Sequence, residues 1–262
     1  MLTTCGDIDV AWFEVGRGQP LILVHGLADD HRAWRRTIPT LMMRRRVLLY
    51  DFRGHGETSL GAADGTLRQL GDDLIALMDA IGIERATLAG FSLGGTIAMR
   101  AAIDHPSRVA ALALVATSSR VGRAASDWYQ ARTHMVVSGA EELRETLDGD
   151  TADVYRNQPR QLGDGLAIRR QSTRDPRGYG NACRAMAGLH AAPLDPELGS
   201  ISAPTVIVAG DKDQHCPPRA SELIAAGIPH SRMTVIADAG HPIPVEKPEE
   251  LATLILGAAD TP

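Results

Sequence analysis

The sequence predicts an α/β fold, with a mostly parallel sheet flanked by helices, and two observations support this prediction. Short runs rich in Val, Ile and Leu alternate along the chain with stretches whose apolar residues recur at helical spacing. This alternation is typical of strand–helix–strand units, which place parallel strands in one sheet and helices on both of its faces. The strand-like runs cover residues 21–24, 47–50, 86–89, 109–115, 205–209 and 233–236.

Two segments between these runs predict helices. Leu70, Leu74 and Leu77, within residues 67–81, lie at three-to-four spacing and would form one apolar face of a helix. Residues 93–103 predict a second helix, which begins shortly after the third of the strand-like runs.

The N-terminal segment has a different pattern. Residues 8–15 alternate between apolar and polar side chains, and the turn-forming sequence Gly-Arg-Gly-Gln-Pro follows at residues 16–20. Alternation of this kind indicates a strand with one solvated face. We therefore expect an antiparallel edge hairpin that leads into the parallel part of the sheet.

The strand–helix rhythm stops between residues 118 and 200. Short helical patterns with Gly and Pro punctuation replace the buried runs, and scattered apolar residues lie among many arginines. We expect residues 118–200 to form a small helical cap, or lid, over the active edge of the sheet. Residues 1–117 and 201–262 would then form the core, in a single compact domain overall.

Composition excludes several classes of protein. The 262 residues contain 27 Lys and Arg against 32 Asp and Glu, which gives a formal net charge of −5. This balance provides no general attraction to polyanions, so nucleic acid is not an expected partner. No apolar run approaches the roughly 18 to 20 residues of a membrane helix, and residues 1–10 do not resemble a signal peptide. We expect a soluble, cytoplasmic protein without a membrane partner.

The sequence also gives no sign of a cofactor. Cys5, Cys183 and Cys216 are widely spaced and form no C-x-x-C pair. We find no His, Asp or Glu cluster with metal-ligand spacing and no G-x-G-x-x-G pattern for a dinucleotide. No metal and no cofactor are therefore predicted, and base rates favour a monomer or a homodimer.

A G-x-S-x-G pattern provides the sharpest functional signal. Gly90, Ser92 and Gly94 lie between a predicted strand and a predicted helix. A serine on so sharp a turn has a strained backbone, and the glycines beside it avoid collisions with that turn. The hydroxyl then lies at a helix N-terminus, whose free N–H groups favour a developing negative charge. The alternative is a glycine-rich structural turn, but the setting favours Ser92 as a nucleophile.

A nucleophilic serine needs a general base, because its hydroxyl is protonated at neutral pH. His241 directly follows the last predicted strand, so its loop should lie at the same edge of the sheet as Ser92. The alternatives for His241 are a surface histidine or a residue at the entry to a helix. His215 remains a rival base, while His25 and His55 each follow a parallel strand and are expected to shape loops.

The base in turn needs a carboxylate to hold its tautomer and stabilise the imidazolium. Asp211 and Asp213 both follow the predicted strand at 205–209. Asp213 is favoured, because it lies further into the loop and can turn over the edge of the sheet. The resulting chain order of Ser92, Asp213 and His241 is the order known for this strand–turn–helix arrangement.

An oxyanion hole requires two N–H groups directed at one oxygen. The N–H of Leu93, the residue after the nucleophile, is one candidate. The loop after the first parallel strand should supply the second through the N–H of Leu27, since Gly26 lets the backbone come close.

These motifs together resemble those of a known superfamily. On them, the sequence is identified as a member of the α/β-hydrolase superfamily over essentially its whole length. The resemblance implies an α/β-hydrolase fold with the cap inserted after strand 6. It rests on HGLADD at 25–30, DFRGHGETS at 51–59, GFSLGG at 90–95, GDKD at 210–213 and AGHPIPVEKPEE at 239–250.

Within the superfamily the chain resembles the 3-oxoadipate enol-lactonases. The shared features are the compact length, the Ser-Leu-Gly-Gly sequence at 92–95, Trp128 early in the cap and Arg-Asp-Pro-Arg-Gly-Tyr at 174–179. Residues 149–170 and 242–244 depart from that pattern. The resemblance implies hydrolysis of a small anionic lactone.

The functional prediction is a serine hydrolase that cleaves an ester or lactone through an acyl-enzyme, with water as the second substrate. Two alternatives from the same superfamily are a carbon–carbon bond hydrolase and a cofactor-free perhydrolase. The alternative from a different class is a small-molecule receptor without turnover. Rapid hydrolysis of an activated ester would distinguish the enzyme from the receptor.

Trp128 and Arg132 are the candidate substrate-binding residues. Their spacing of four can place both on one face of a helix, as an aromatic wall beside a guanidinium suited to a carboxylate. The alternative is that Trp128 fastens the cap to the core and Arg132 is solvated.

Overall fold

The central sheet has eight strands, in the order β1-β2-β4-β3-β5-β6-β7-β8, within residues 1–259, the part of the chain that this computed structural model describes. The strands are β1 (Leu2–Cys5), β2 (Ile8–Gly16), β3 (Pro20–Val24), β4 (Arg46–Tyr50), β5 (Ala86–Phe91), β6 (Val109–Val115), β7 (Thr205–Gly210) and β8 (Arg232–Ile236).

The helices surround this sheet. The α-helices are α1 (Ile38–Leu41), α2 (Leu67–Ala80), α3 (Leu93–Asp104), α4 (Arg123–Ser138), α5 (Leu143–Val154), α6 (Leu162–Ser172), α7 (Pro176–Gly188), α8 (Pro218–Gly227), α9 (Ile243–Glu246) and α10 (Pro248–Ala259). Short 3-10 helices cover His31–Trp34, Pro106–Arg108, Pro159–Gln161 and Asp195–Ser200.

The pairing of the strands confirms the predicted mostly parallel sheet. Every pair from β3 onward in the sheet is parallel, whereas β2 runs antiparallel to both β1 and β4. The carboxyl ends of the parallel strands therefore meet at one edge, which is where an open α/β sheet places its ligand site.

The edge hairpin of the structure differs in two details from the predicted one. The hairpin joins β2 to β1, a strand that the sequence analysis missed because its four residues are mostly exposed and form no buried run. The turn at residues 16–20 does not join neighbouring strands, since β4 lies between β2 and β3.

Both faces of the sheet are covered by apolar side chains. Leu21 and Leu23 of β3 pack into the core on one face, and Ile22 and Val24 pack into the core on the other. All four are fully buried, which explains why the strand is a continuous apolar run rather than an alternating one. Burial of each such side chain contributes about 1.5–3 kcal/mol.

Helices α4 to α7 occupy the chain between β6 and β7, where the sequence predicts the cap. Gly178, near the start of α7, lies directly against Gly54 in the loop after β4. A Cβ at Gly178 would overlap the Gly54 backbone, so only glycine allows this close approach. Tyr179 follows and is buried with Ala28 and Leu147, so α7 lies against the loops at the carboxyl ends of the strands.

Within residues 1–259, no helix combines the length and apolar character needed to cross a membrane.

Candidate active site

Ser92 lies on a sharp turn between β5 and α3. Its backbone has φ 53° and ψ −122°, a left-handed conformation that non-glycine residues rarely adopt. A Cβ at Gly90 would overlap the carbonyl of Gly94, and a Cβ at Gly94 would overlap the carbonyl of Val24. The glycines of the G-x-S-x-G pattern are therefore required by close packing around the serine.

Ser92, His241 and Asp213 form a continuous hydrogen-bonded chain. The Nε2 atom of His241 lies 3.1 Å from the Oγ atom of Ser92, and its Nδ1 atom lies 2.8 Å from Oδ2 of Asp213. The other carboxylate oxygen, Oδ1, accepts the backbone N–H groups of His215 and Cys216 at 2.8 and 2.9 Å. These contacts fix the carboxylate on one side and direct the imidazole at the serine on the other.

The charge of Asp213 is held within the protein interior, where its side chain is fully covered. Burial raises the pKa of the Asp213 carboxyl. The nearby imidazole of His241, the hydrogen bond to it and the two backbone N–H donors outweigh burial, so the pKa lies below its ordinary value. The carboxylate is therefore ionised at neutral pH and able to stabilise a positive charge on His241.

The rival candidates have other positions. Asp211 accepts the backbone N–H of Ala239 at 3.1 Å rather than contacting His241. The ring of His215 lies 5.0 Å from that of His241, and its Nε2 atom is 3.3 Å from Asp153. Within residues 1–259, His215 makes no hydrogen bond to Ser92.

Two further histidines support the loops at this edge. The Nδ1 atom of His25 lies 2.9 Å from the carbonyl oxygen of Gly26, and its Nε2 atom accepts the N–H of Phe52 at 3.2 Å. Both bonds require the neutral imidazole with its proton on Nδ1. His25 stacks on Phe52 at 4.0 Å and His55 packs against the same ring at 4.2 Å, so both shape loops.

The two predicted oxyanion donors lie beside the serine. Leu93 is the first residue of α3, so its N–H has no partner within the helix. Leu27 lines the same cavity as Ser92. In the part of the chain that the structure describes, neither N–H donates to another group, and both are available to an oxyanion.

Helix α6 supports the loop that carries Leu27. The Nε atom of Arg169 donates to Oδ1 of Asp29 at 2.9 Å, and the hydroxyl of Ser172 donates to the Asp29 carbonyl oxygen. The N–H of Asp29 in turn donates to the carbonyl oxygen of Gly26 at 3.2 Å. The loop that carries Leu27 is thus held by side chains from the helical insertion.

The buried His55 should make the stability of the folded protein depend on pH. Burial, followed by the charge of His25, lowers the pKa of His55 to about 3 from an ordinary 6.5. The unfolded chain therefore binds more protons than the folded chain between these values. We expect the free energy of unfolding to fall as the pH decreases from about 6.5, by about 1.4 kcal/mol per pH unit from this group.

Urea unfolding at pH 7 and at pH 5 measures this effect. Both values lie above the pH range in which most carboxylates titrate. The His55→Phe variant should show a flatter dependence, because Phe keeps a planar ring and does not bind a proton. The same loss of stability in the variant as in the wild type would show that His55 is not the group responsible.

A cavity of about 440 Å³ opens above Ser92, a size suited to a small molecule. It lies between the loops of the sheet edge and helices α4 to α7. Its lining combines apolar and aromatic side chains with a few charged ones: Leu27, Ala28, Ser92, Ala124, Ala125, Trp128, Tyr129, Leu147, Asp150, Asp153, Val154, Arg169, Tyr179, Gln214, His215, Cys216 and His241.

The two predicted substrate-binding residues differ in position. Trp128 lines the cavity. Arg132 does not, because its guanidinium stacks on Trp128 at 4.0 Å and forms two hydrogen bonds, of 3.1 and 2.7 Å, to Asp150. Substrate binding by Arg132 therefore stays a prediction. Another arginine, Arg169, lines the cavity, and the sequence analysis made no prediction for it.

The structure also brings together a cluster that the sequence analysis did not find. Ligand atoms of Asp30, His31 and Asp51 lie within 4.8 Å of one another. Each carboxylate already has a partner, since Arg32 donates to Asp30 and the Nδ1 atom of His31 lies 2.8 Å from Asp51. The cluster is therefore explained by ion pairs within the protein.

The fold and the site define a hydrolase with a serine on a sharp strand-to-helix turn. Residues 19–248 match the family model described as the alpha/beta hydrolase fold. The chain belongs to the α/β-hydrolase superfamily, which confirms the fold and the family predicted from the motifs.

Relatives include enol-lactonases and a putative carbamate hydrolase. The chain is 30% identical over 240 residues to 3-oxoadipate enol-lactonase 1 of Acinetobacter baylyi, covering 90% of this chain and 87% of that protein. It is 25% identical over 256 residues to a putative carbamate hydrolase of Azorhizobium caulinodans, covering 96% and 95%. The enol-lactonase structure from Burkholderia xenovorans superposes with a TM-score of 0.89 at 25% identity, over all of both chains.

Proposed function

We propose that this protein hydrolyses a carboxylic ester or lactone through an acyl-enzyme intermediate on Ser92. The observation that carries the proposal is the hydrogen-bonded chain from Asp213 through His241 to Ser92, which opens on the cavity. A serine becomes a good nucleophile beside a base that takes its proton, and that base needs a partner to fix its tautomer. The three side chains are arranged as both requirements demand.

The proposed reaction begins with attack of the Ser92 oxygen on the substrate carbonyl while Nε2 of His241 takes the proton. The resulting oxyanion accepts the N–H groups of Leu27 and Leu93. His241 then gives its proton to the leaving oxygen, and the carbon–oxygen bond breaks to leave the acyl-enzyme. Water, activated by the same histidine, releases the acid. In a lactone the leaving hydroxyl stays attached to the acyl group, so water must react before the ring closes again.

The imidazolium formed in this sequence is stabilised by Asp213, whose charge lies 2.8 Å from Nδ1 of His241. The N-terminus of α3 adds a partial positive charge at the oxyanion. Each interaction strengthens as charge develops, which is the condition for lowering the activation barrier rather than only binding the substrate.

We propose a small anionic lactone as the substrate, on two grounds. The first is the similarity to proteins named as enol-lactonases. The second is Arg169, which reaches the cavity while its side chain is only 11% exposed. Its Nε atom is bonded to Asp29, and its Nη1 atom has no partner among residues 1–259. A guanidinium fixed in this way can offer its remaining N–H groups to a carboxylate.

Substitution of Arg169 tests this proposal. Arg169→Met should raise KM for a carboxylated enol-lactone about tenfold or more, since a hydrogen bond to a charged group contributes about 1.5–3 kcal/mol. KM for a neutral lactone should change much less. Arg170→Met is the matched control, because the neighbouring Arg170 is 53% exposed and paired with Asp148. An equal rise in KM for both lactones would contradict the role, and a selective rise in Arg132→Met instead would assign the role to Arg132.

A panel of short-chain p-nitrophenyl esters, neutral lactones, carboxylated enol-lactones and a carbamate tests the reaction class. Preference for the anionic lactone supports the proposal. Turnover of the carbamate alone would favour the activity named for the second relative, and cleavage of a vinylogous diketone would favour a carbon–carbon bond hydrolase. Ligand binding without any turnover would contradict the proposal and favour a receptor.

A further inference from the structure

We propose that Glu246 is a positioning residue for His241, acting through the backbone of the loop that carries the histidine. This inference rests on the proposed function, because it assigns a role in aligning the proposed base. Glu246 is the last residue of α9, which begins two residues after His241. The short helix turns back, so the Glu246 carboxylate reaches the residue just before the histidine.

The contact is direct and short. Oε2 of Glu246 accepts the N–H of Gly240 at 2.6 Å. The preceding N–H, from Ala239, donates to Asp211 at 3.1 Å. Two consecutive amides before His241 are therefore held by carboxylates from opposite sides of the loop. Asp211 also lies two residues before Asp213, so it connects the loop of the proposed acid with the loop of the proposed base.

The space around Gly240 leaves little freedom to this arrangement. Gly240 is buried, and a Cβ added there would lie 2.6 Å from Nδ2 of Asn157 and 2.9 Å from Oε1 of Glu246. The Glu246 carboxylate and Asn157, a residue of the helical insertion, therefore both pack closely against Gly240. Small movements of Glu246 must be transmitted to the Gly240 peptide and from there to His241.

Burial of the Glu246 carboxylate lowers the stability of the folded protein, so a contribution to stability does not explain why a glutamate stands here. Its Oε1 atom is buried and has no hydrogen-bond partner among residues 1–259. A buried acceptor without a partner costs about 1–3 kcal/mol. The presence of a carboxylate is therefore better explained by the hydrogen bond between Oε2 of Glu246 and the N–H of Gly240, next to His241.

The proposed consequence concerns the distance of 3.1 Å between Nε2 of His241 and Oγ of Ser92. Proton transfer requires this hydrogen-bond distance, and a misplacement of about 1 Å can reduce the rate about a hundredfold. Loss of the Gly240 contact should therefore lower kcat and leave substrate binding in the cavity almost unchanged.

The test measures p-nitrophenyl acetate hydrolysis by Glu246→Ala and Glu246→Gln. We expect kcat of Glu246→Ala to fall about 10- to 100-fold, with KM within about twofold of the wild type. Glu246→Gln should stay within about threefold, because the amide oxygen can accept the same N–H. Asp238→Asn is the control, since Asp238 is exposed in the same turn and pairs with Lys212 on the surface.

Crystal structures of the same variants provide a readout that does not depend on turnover. In Glu246→Ala the Ser92–His241 hydrogen bond should be lost, and in Asp238→Asn it should remain. An unchanged bond together with wild-type kcat in Glu246→Ala would overturn the inference, as would equal losses of kcat in the Ala and Gln variants. If Glu246→Ala does not fold, Asp211→Ala replaces it, with the same expected loss of alignment.

Failure of the proposed function gives a different result. In that case the wild type does not hydrolyse the ester, or Ser92→Ala hydrolyses it equally well, whatever the crystal structures show. Wild-type hydrolysis that depends on Ser92 and is unaffected by Glu246→Ala would contradict the positioning role alone.

Discussion

Replacement of Ser92 with alanine is expected to reduce kcat for an activated ester by a factor on the order of 10³ to 10⁶. The substitution removes the only atom that can form the proposed acyl-enzyme. Within the described residues, the Oγ atom of Ser92 forms a hydrogen bond with His241 alone, so the fold should be preserved. The residual rate would come from substrate binding and the oxyanion donors.

Steady-state hydrolysis of p-nitrophenyl acetate measures this effect, with the melting temperature as a check on folding. A second measurement uses a fluorophosphonate: the Ser92 oxygen of the wild type should bond to its phosphorus with loss of HF, which adds the mass of the phosphonyl group, and the variant should not gain this mass. The matched control is Ser231→Ala, because the hydroxyl of Ser231 donates to the carbonyl oxygen of Ala225 and lies outside the proposed site. Full turnover by Ser92→Ala would reject the proposed mechanism.

Asp213→Asn is expected to have the second of the two largest effects and to lower kcat by about 10⁴-fold. The reason is that the substitution changes which imidazole nitrogen of His241 carries the proton. One oxygen of Asp213 accepts the N–H groups of His215 and Cys216, and the other faces Nδ1 of His241. In an asparagine the carbonyl oxygen would keep the two backbone donors, so the amide NH₂ would face His241. Nδ1 must then accept a hydrogen bond, which moves the imidazole proton to Nε2, where it opposes proton uptake from Ser92.

The matched control is Asp238→Asn, which makes the same chemical change at a surface position near His241. Asp238 is 75% exposed, and its ion pair with Lys212 contributes little. We expect kcat of the control to stay close to that of the wild type. A comparable loss in both variants would mean that general charge near the site, and not the tautomer of His241, determines the rate.

The elements buried on both faces could be predicted from the sequence. Strands β3 to β7 are continuous apolar runs because helices cover both sides of the sheet, and this pattern needs no knowledge of tertiary contacts. Strand β1 has no such signal, since its pairing with β2 rather than burial maintains it. The position of β4 between β2 and β3 depends on a crossover that the turn at 16–20 does not indicate.

In the candidate site, too, some residues could be predicted from local sequence patterns and others depend on tertiary packing. Ser92 and His241 follow predicted strands, so sheet geometry alone brings them to one edge, and Asp213 lies with them. Arg132 looked available in the sequence because its partner, Asp150, is 18 residues away on another helix. The cavity position of Arg169 depends on how α6 packs on Asp29, which no local pattern encodes.

The bonds from Arg169 and Ser172 to Asp29 matter for the engineering of new substrate ranges. The helices that shape the cavity also support the loop that would bind the oxyanion. A chimera that takes residues 118–200 from a relative would exchange specificity and catalytic support together. Chimeras in this superfamily should therefore remain active most often when the hydrogen-bond donors at 169 and 172 and the loop at 25–30 come from the same parent protein.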